Sequence, residues 1–249
     1  MVKYLVVILT IIIVSSSCQK SEDRSCLKST GEIALIDYVF ESFDSLNLYD
    51  DIKYTLVPDT IFKVEVKGGE NLINHINVVM NNNVLKVTNE NKCKFLRSFK
   101  EKVEVKIHVQ DLNYIHFEGS EQLVSSDTLH ASELRLLIRD GAGGVDLTVK
   151  NGYTSGVISH GWGSFTLRGE TLFAYLNCNT NSSCDSRSLK VVNELRVNSN
   201  TQGDMYVGAS GANNFFGIIN QKGNIYFEGA ADNTLFTFND EGDILDLNN

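Results

Sequence analysis

The feature of this sequence that most constrains its fold is a pattern that returns about every twenty residues. The segment "NTQGDMYVGA" begins at Asn200, "NQKGNIYFEG" at Asn220 and "NDEGDILDLN" at Asn239. Each contains an Asn, a Gly three residues later and then a largely apolar run. A repeat of nearly fixed length indicates a chain built from one unit stacked on its neighbours.

The pattern extends to six repeats when the residue three places after the Asn is taken as an anchor. The anchors are Gly143, Gly163, Cys184, Gly203, Gly223 and Gly242, with steps of 20, 21, 19, 20 and 19 residues. Three residues before each anchor stand Asp140, His160, Asn181, Asn200, Asn220 and Asn239. We interpret this column as a structural turn ladder, because stacked Asn side chains can hydrogen-bond along the stack. The anchor glycines predict a backbone with positive φ.

The apolar residues within each repeat alternate with a period of two. The position two after the anchor is apolar in five of six repeats, and the position four after it in four of six. This is the period of a β-strand, whereas helical repeats run about 33 to 47 residues and leave stripes of period 3.6. The sequence therefore predicts an all-β protein, a parallel β-helix that is a single-stranded solenoid. The third repeat departs from the rule with Ser186 and Ser188, where we expect a bulge.

The N-terminal sequence predicts that the protein is exported. A basic start, a short apolar run and three serines precede Cys18, as in a secretory signal. The arrangement resembles a bacterial lipoprotein signal, in which Cys18 would carry the lipid; the alternative is an ordinary signal peptide with an unrelated cysteine. The polar residues 19–23 resemble the tether that directs Bacteroidetes lipoproteins to the cell surface.

These features predict the organisation of the chain. We expect a signal peptide over 1–17, a polar tether over 18–36 and one domain over 37–249. In that domain, 37–116 is predicted to be a less regular leading β layer and 117–249 the regular coils. The chain carries 22 basic and 31 acidic residues, a net charge of −9, which argues against nucleic acid as a partner. Cys26, Cys93, Cys178 and Cys184 show no metal-ligand spacing, and their disulfide state is left open.

Few residues suggest chemistry. Asp185, Asp204 and Asp243 follow the anchors and are weak candidates for a metal site, because stacked coils would bring Asp185 close to Asp204; solvated turn carboxylates are the simpler interpretation. Trp162 lies between two glycines at a predicted turn, where an exposed ring could bind a ligand; the alternative is that the ring folds back and packs over the coil. No catalytic motif and no cofactor motif is present.

Several segments resemble a known family. The stretch "GGENLINHI" followed by "NNVLKV", the rung "GNIYFEGA" and the closing "GDI" resemble the head GIN domain of putative auto-transporter adhesins, over about Tyr38 to Ile244. The resemblance implies a right-handed β-helix and a surface or adhesive role without catalytic residues. We therefore expect a non-enzymatic outer-membrane lipoprotein that is held by its lipid and binds an extracellular glycan or protein. The alternative is a carbohydrate-active β-helix, a polysaccharide lyase or hydrolase.

Overall fold

The computed structural model describes residues 29–92 and 102–248, and the predicted signal peptide and Cys18 lie outside these ranges. The first half contains β1 (Ile33–Phe40), β2 (Ser45–Asp50), β3 (Lys53–Pro58), β4 (Phe62–Gly69), α1 (Glu70–Ile73), β5 (Ile76–Asn81), β6 (Val84–Asn89), β7 (Glu104–Val109), β8 (Tyr114–Gly119) and β9 (Leu123–Ser125). The second half contains β10 (Leu129–Ile138), β11 (Gly144–Ile158), β12 (Ser164–Thr180), β13 (Ser183–Ser186), β14 (Leu189–Thr201), β15 (Met205–Gly208), β16 (Asn214–Ile219), β17 (Ile225–Glu228), β18 (Asn233–Phe238) and β19 (Ile244–Asp246). No helix among the described residues has the length and apolar content that crossing a bilayer requires.

The strands form a β-solenoid of about seven turns, with two main faces. Sheet A runs in the order β5, β6, β2, β8, β10, β11, β12, β14, β16, β18. Sheet B runs in the order β1, β4, β7, β3, β9, β11, β12, β13, β15, β17, β19. The long strands β11 and β12 belong to both sheets. The predicted parallel β-helix is therefore confirmed.

The leading segment is continuous with the solenoid, but its coils do not follow chain order. The pair β2 and β3 lies between the pair β6 and β7 and the pair β8 and β9. Antiparallel strands end this side of the molecule, because β5 pairs with β6 and β4 lies between β1 and β7. β1 begins at Ile33, inside the segment that the sequence assigns to the tether.

The core contains the alternating apolar columns that the repeat predicts. Met205, Ile225 and Ile244 are paired in successive coils, and Ile225 is completely buried. Strand alternation places these side chains inside and their neighbours outside. The same register puts Asp246 opposite Phe227, in the inward column of the last coil.

The third anchor was predicted wrongly, by two residues. Cys184 pairs with Phe165 and Met205, in the inward apolar column, so that Ser182 occupies the anchor position. Cys184 is apolar enough to fill the core, and Ser182 is small enough to replace a glycine. The register shift that the irregular repeat suggested lies further on, where β14 pairs with β12 on either side of Leu172.

The anchor glycines are required for a different reason from the one predicted. None of the five has a positive φ. A Cβ at Gly143 would instead lie far inside 3.0 Å from the carbonyl oxygen of Glu121, and a Cβ at Gly242 would lie 2.6 Å from that of Gly223. The coils approach so closely at this corner that the anchor position takes glycine or, in the third repeat, the small side chain of Ser182.

Candidate binding surface

Asparagines form a hydrogen-bonded ladder along one corner of the solenoid. The Nδ2 of Asn239 donates to the Oδ1 of Asn220, and the Nδ2 of Asn220 donates to the Oδ1 of Asn200, both at 2.7 Å. Asn200 in turn donates to the Oδ1 of Asn177 at 2.7 Å. The ladder stabilises the stacking of coils, and its exposed position gives it no enclosed site for a ligand.

Asn181 was predicted to belong to this ladder, and the two-residue error in the third repeat explains why it does not. Asn179 lies opposite Asn200 instead. Asp140 and His160 share the corner through their backbones, because the Asp140 N–H donates to the His160 carbonyl at 3.1 Å. Asp140 has a positive φ of 52°.

The three aspartates of the weak metal hypothesis do not converge. Asp185 pairs with Tyr206 rather than with Asp204, again because of the register error. Its carboxylate binds Arg187 at 2.6 Å, and this hydrogen bond holds the pKa of Asp185 below its usual value. Asp204 accepts the backbone N–H of Asn224, whose own Oδ1 accepts that of Asp243. Among the described residues, no cluster of metal-binding side chains is present.

Trp162 is highly exposed. Its side chain is 74% accessible, and its backbone N–H donates to the Gly141 carbonyl at 3.3 Å. Gly161 next to it has a φ of 107°, a backbone conformation that favours glycine. The exposed ring is therefore available to a ligand.

A surface that the sequence did not predict lies on the outside of sheet A. We call it the outer aromatic face and define it by Tyr114, Tyr153, Phe173, Tyr175 and Phe216. Pairing in register places Phe173 beside Tyr153 in the next coil. Tyr114, Tyr175 and Phe216 share a column that spans six coils, or about 24 Å at the usual strand spacing.

Arginines complete the outer aromatic face. The guanidinium of Arg135 lies 5.4 Å from the Tyr153 ring centre, and that of Arg196 lies 5.1 Å from the Phe216 ring centre. Each arginine is also bound by a glutamate two residues earlier on its strand, which raises its pKa. Such cation–π contacts place each guanidinium over the face of the neighbouring ring.

Sheet B carries a shorter surface of the same type. The rings of Tyr206 and Tyr226 stack with centres 5.0 Å apart and planes 12° apart. Arg187, held by Asp185, lies 5.1 Å from the Tyr206 ring centre. The sequence predicted that the inner columns are buried. It did not predict the aromatic residues of the outward columns, because these residues do not recur in every repeat.

Two of the cysteines are now assigned. Cys178 and Cys184 are free thiols in the core, and burial raises the pKa of the Cys184 thiol. Cys26 and Cys93 lie outside the described residues. The two core thiols therefore pack as small apolar groups.

Comparisons with known proteins agree with this architecture. The chain is similar to the structure of a putative adhesin from Bacteroides fragilis, with 21% identity, a TM-score of 0.77 and coverage of 87% of this chain and 97% of that one. It is also similar to a putative adhesin from Parabacteroides distasonis (15% identity, TM-score 0.63, coverage 87% and 98%). A putative lipid binding protein from the same organism has 14% identity, a TM-score of 0.62 and coverage of 88% and 98%.

These structural similarities show the fold alone, because every identity is below 25%. No curated protein matches the chain. A family model does match residues 42–231, which is most of the chain. The chain belongs to the family described as putative auto-transporter adhesin, head GIN domain.

Proposed function

We propose that this chain is a non-catalytic binding module on the outside of the cell, and that the outer aromatic face takes its ligand. The observation that carries the proposal is the set of five rings in four of six successive coils of sheet A, with Arg135 and Arg196 in the other two coils. Flat aromatic residues supply contact area at a low cost in conformational entropy and are enriched where proteins bind partners. The ligand we propose is an extracellular glycan or protein, since rings flanked by arginines suit both.

The same proposal includes attachment to the outer membrane by a lipid on Cys18. It rests on the three serines before this cysteine and on the apolar run before them. Replacement of Cys18 by Ala should release the protein from the membrane fraction and abolish labelling with palmitate. Unchanged labelling and unchanged fractionation would contradict the attachment.

The competing proposal is a carbohydrate-active enzyme, and the arrangement of acidic and basic side chains argues against it. A lyase or hydrolase needs acidic and basic groups aimed at one substrate atom. Here Asp185 is neutralised by Arg187, while Asp204 lies in a different column. Release of reducing ends from a polysaccharide by the purified protein would favour the enzyme instead.

A binding array of glycans and matrix proteins tests the proposed face. Phe173→Ala should lower affinity for any ligand found by about tenfold or more, as expected for an aromatic anchor. Leu247→Ala is the matched control, because the two side chains are 43% and 40% exposed but Leu247 lies in the C-terminal tail. Trp162→Ala tests the alternative corner. Loss of binding in Trp162→Ala but not in Phe173→Ala would overturn the assignment to the outer aromatic face.

A further inference from the structure

In the described part of the chain, the N-terminal end of the solenoid terminates in β1, one edge of which has no strand beside it. Within the described residues, β1 pairs with β4 alone, over eight residues from Ile33 to Phe40. An edge strand leaves the N–H and C=O groups of alternate residues directed away from the sheet. These groups can pair with another extended chain.

β1 lacks the features that normally protect such an edge. It contains no Pro and no Lys, and its one charge, Asp37, is bound by Lys63 at 3.0 Å. Its outward side chains include Ile33, Leu35 and Val39, which are 57%, 56% and 78% exposed. Long, apolar and uncharged edges are the ones that add further strands.

The opposite end of the molecule is protected differently. Residues 230–248 contain five carboxylates and no Lys or Arg. The side chain of Asn248 also binds the backbone of Gly229, accepting from its N–H at 2.8 Å and donating to its carbonyl at 3.0 Å. Two copies meeting at this end would bring like charges together. The strand β18 at this end is itself uncharged, but Asp232 and Asp240 flank it, and it has six residues against the eight of β1. We therefore assign the second copy to the N-terminal edge.

When β1 is paired antiparallel with a second β1 about Ile36, every opposed pair except Leu35 with Asp37 joins two apolar or aromatic side chains. In that register Ile33 lies opposite Val39 of the second copy and Leu35 lies opposite its Asp37, all on the outer face. On the inner face Ala34 lies opposite Tyr38 of the second copy, so a small side chain meets a large one. Ala34 and Tyr38 are only partly buried against the core of one copy, and the second copy would cover them.

We propose that two copies of this chain form a twofold symmetric dimer by antiparallel pairing of β1 with β1. Twofold dimers are the commonest symmetric assemblies, and their interfaces are formed by the same patch on both copies. The pairing extends sheet B across the dimer. It leaves the outer aromatic face uncovered, because that face belongs to coils from β8 onward on sheet A. The dimer therefore does not depend on the proposed ligand surface.

Charge variants test both the interface and its register. The purified full chain is kept in detergent, and its mass is measured by analytical ultracentrifugation. The unaltered chain should have twice the protomer mass, and Ile33→Lys with Val39→Lys should be monomeric, because these residues oppose each other as like charges. Ile33→Lys with Val39→Glu should restore the dimer. Far-ultraviolet circular dichroism spectra at room temperature should stay unchanged, since both positions are exposed and the fold of each copy is kept.

Three results would overturn the proposal. They are a monomeric unaltered chain, a dimer that persists with two lysines, and failure of the Lys and Glu combination to restore the dimer. The first two exclude the interface and the third excludes the register.

Disulfide trapping gives an independent measurement. Ile36 lies on the twofold axis, where directly opposed Cβ atoms are about 4.5–5.5 Å apart. In a chain carrying Cys26→Ser and Cys93→Ser, Ile36→Cys should form a covalent dimer under mild oxidation. Leu172→Cys, at an exposed position away from β1, should not. Equal cross-linking at both positions would contradict specific pairing.

Discussion

Replacing Gly143 by Ala should destabilise the solenoid much more than replacing its neighbour Gly144. A Cβ at Gly143 would lie far inside 3.0 Å from the carbonyl oxygen of Glu121, and 3.0 Å from that of Gly119. A Cβ at Gly144 would meet only the Ser164 Oγ, at 3.7 Å. Neither glycine has a positive φ, so the two substitutions differ in close approach and not in backbone conformation.

The expected loss of stability depends on which atoms must move to make room for the added Cβ. Overpacking a close-packed region costs about 1–3 kcal/mol, and the upper end applies at Gly143 because the obstacle is backbone of the preceding coil. A loss of about 3 kcal/mol lowers the melting temperature by about 6–12 °C in a chain of this size. Gly144→Ala should be neutral or stabilise by about 0.4–1 kcal/mol, because Ala restricts the unfolded chain.

Thermal melting followed by far-ultraviolet circular dichroism measures both variants. The melting temperature of Gly163→Ala should lie between those of the other two variants, since its Cβ would be 3.2 Å from the Gly143 carbonyl oxygen. Equal melting temperatures for the variants at positions 143 and 144 would refute the close-approach explanation of the anchor glycines.

The regular half of the fold could be predicted because two periods coincide in it. A period of two identified strands, and a period of about twenty identified coils, so Ile225 and Asn220 were assigned to the inside and to the corner. The third repeat could not be aligned by the same reasoning. Cys184 and Ser182 are both small and both buried, and the sequence does not say which of them occupies the anchor position.

The order of the leading coils could not be predicted from the sequence, for a different reason. The strands β2, β6 and β8 all alternate apolar with polar residues, but alternation does not identify the neighbours of a strand. Any of the three could lie beside another, because each presents the same inward apolar pattern. The choice depends on connections between coils, which leave no periodic signal in the chain.

The outer aromatic face shows where such reasoning fails for function. Tyr153 and Phe173 do lie one repeat apart, so a signal existed. The repeat then places Glu194 at the next position, and the column does not look apolar in the sequence. Binding surfaces depend on a few large side chains at irregular positions, whereas core columns need an apolar residue in every coil.

Three further perturbations test the structure. Ile225→Ala should cost about 2–5 kcal/mol of unfolding free energy, because the side chain is completely buried between coils; a denaturant titration that shows no loss would exclude the assigned register. Asn220→Leu should cost about 1–2 kcal/mol through loss of its two ladder hydrogen bonds, whereas Lys222→Ala, at an exposed turn position, should cost less than about 0.5 kcal/mol. Asp185→Asn should reduce the dependence of stability on pH. The pKa of Asp185 is lowered in the folded protein by its hydrogen bond from Arg187, so the pair stabilises the fold above the unfolded pKa, about 3.9, and this contribution is lost as the pH falls through the folded pKa. Because the Asp185 side chain is 39% exposed, the contribution should stay below about 1 kcal/mol. Denaturant titrations of both proteins at neutral pH and at about pH 3 should therefore show a smaller difference for the variant, and an equal difference would mean that solvent already screens the pair.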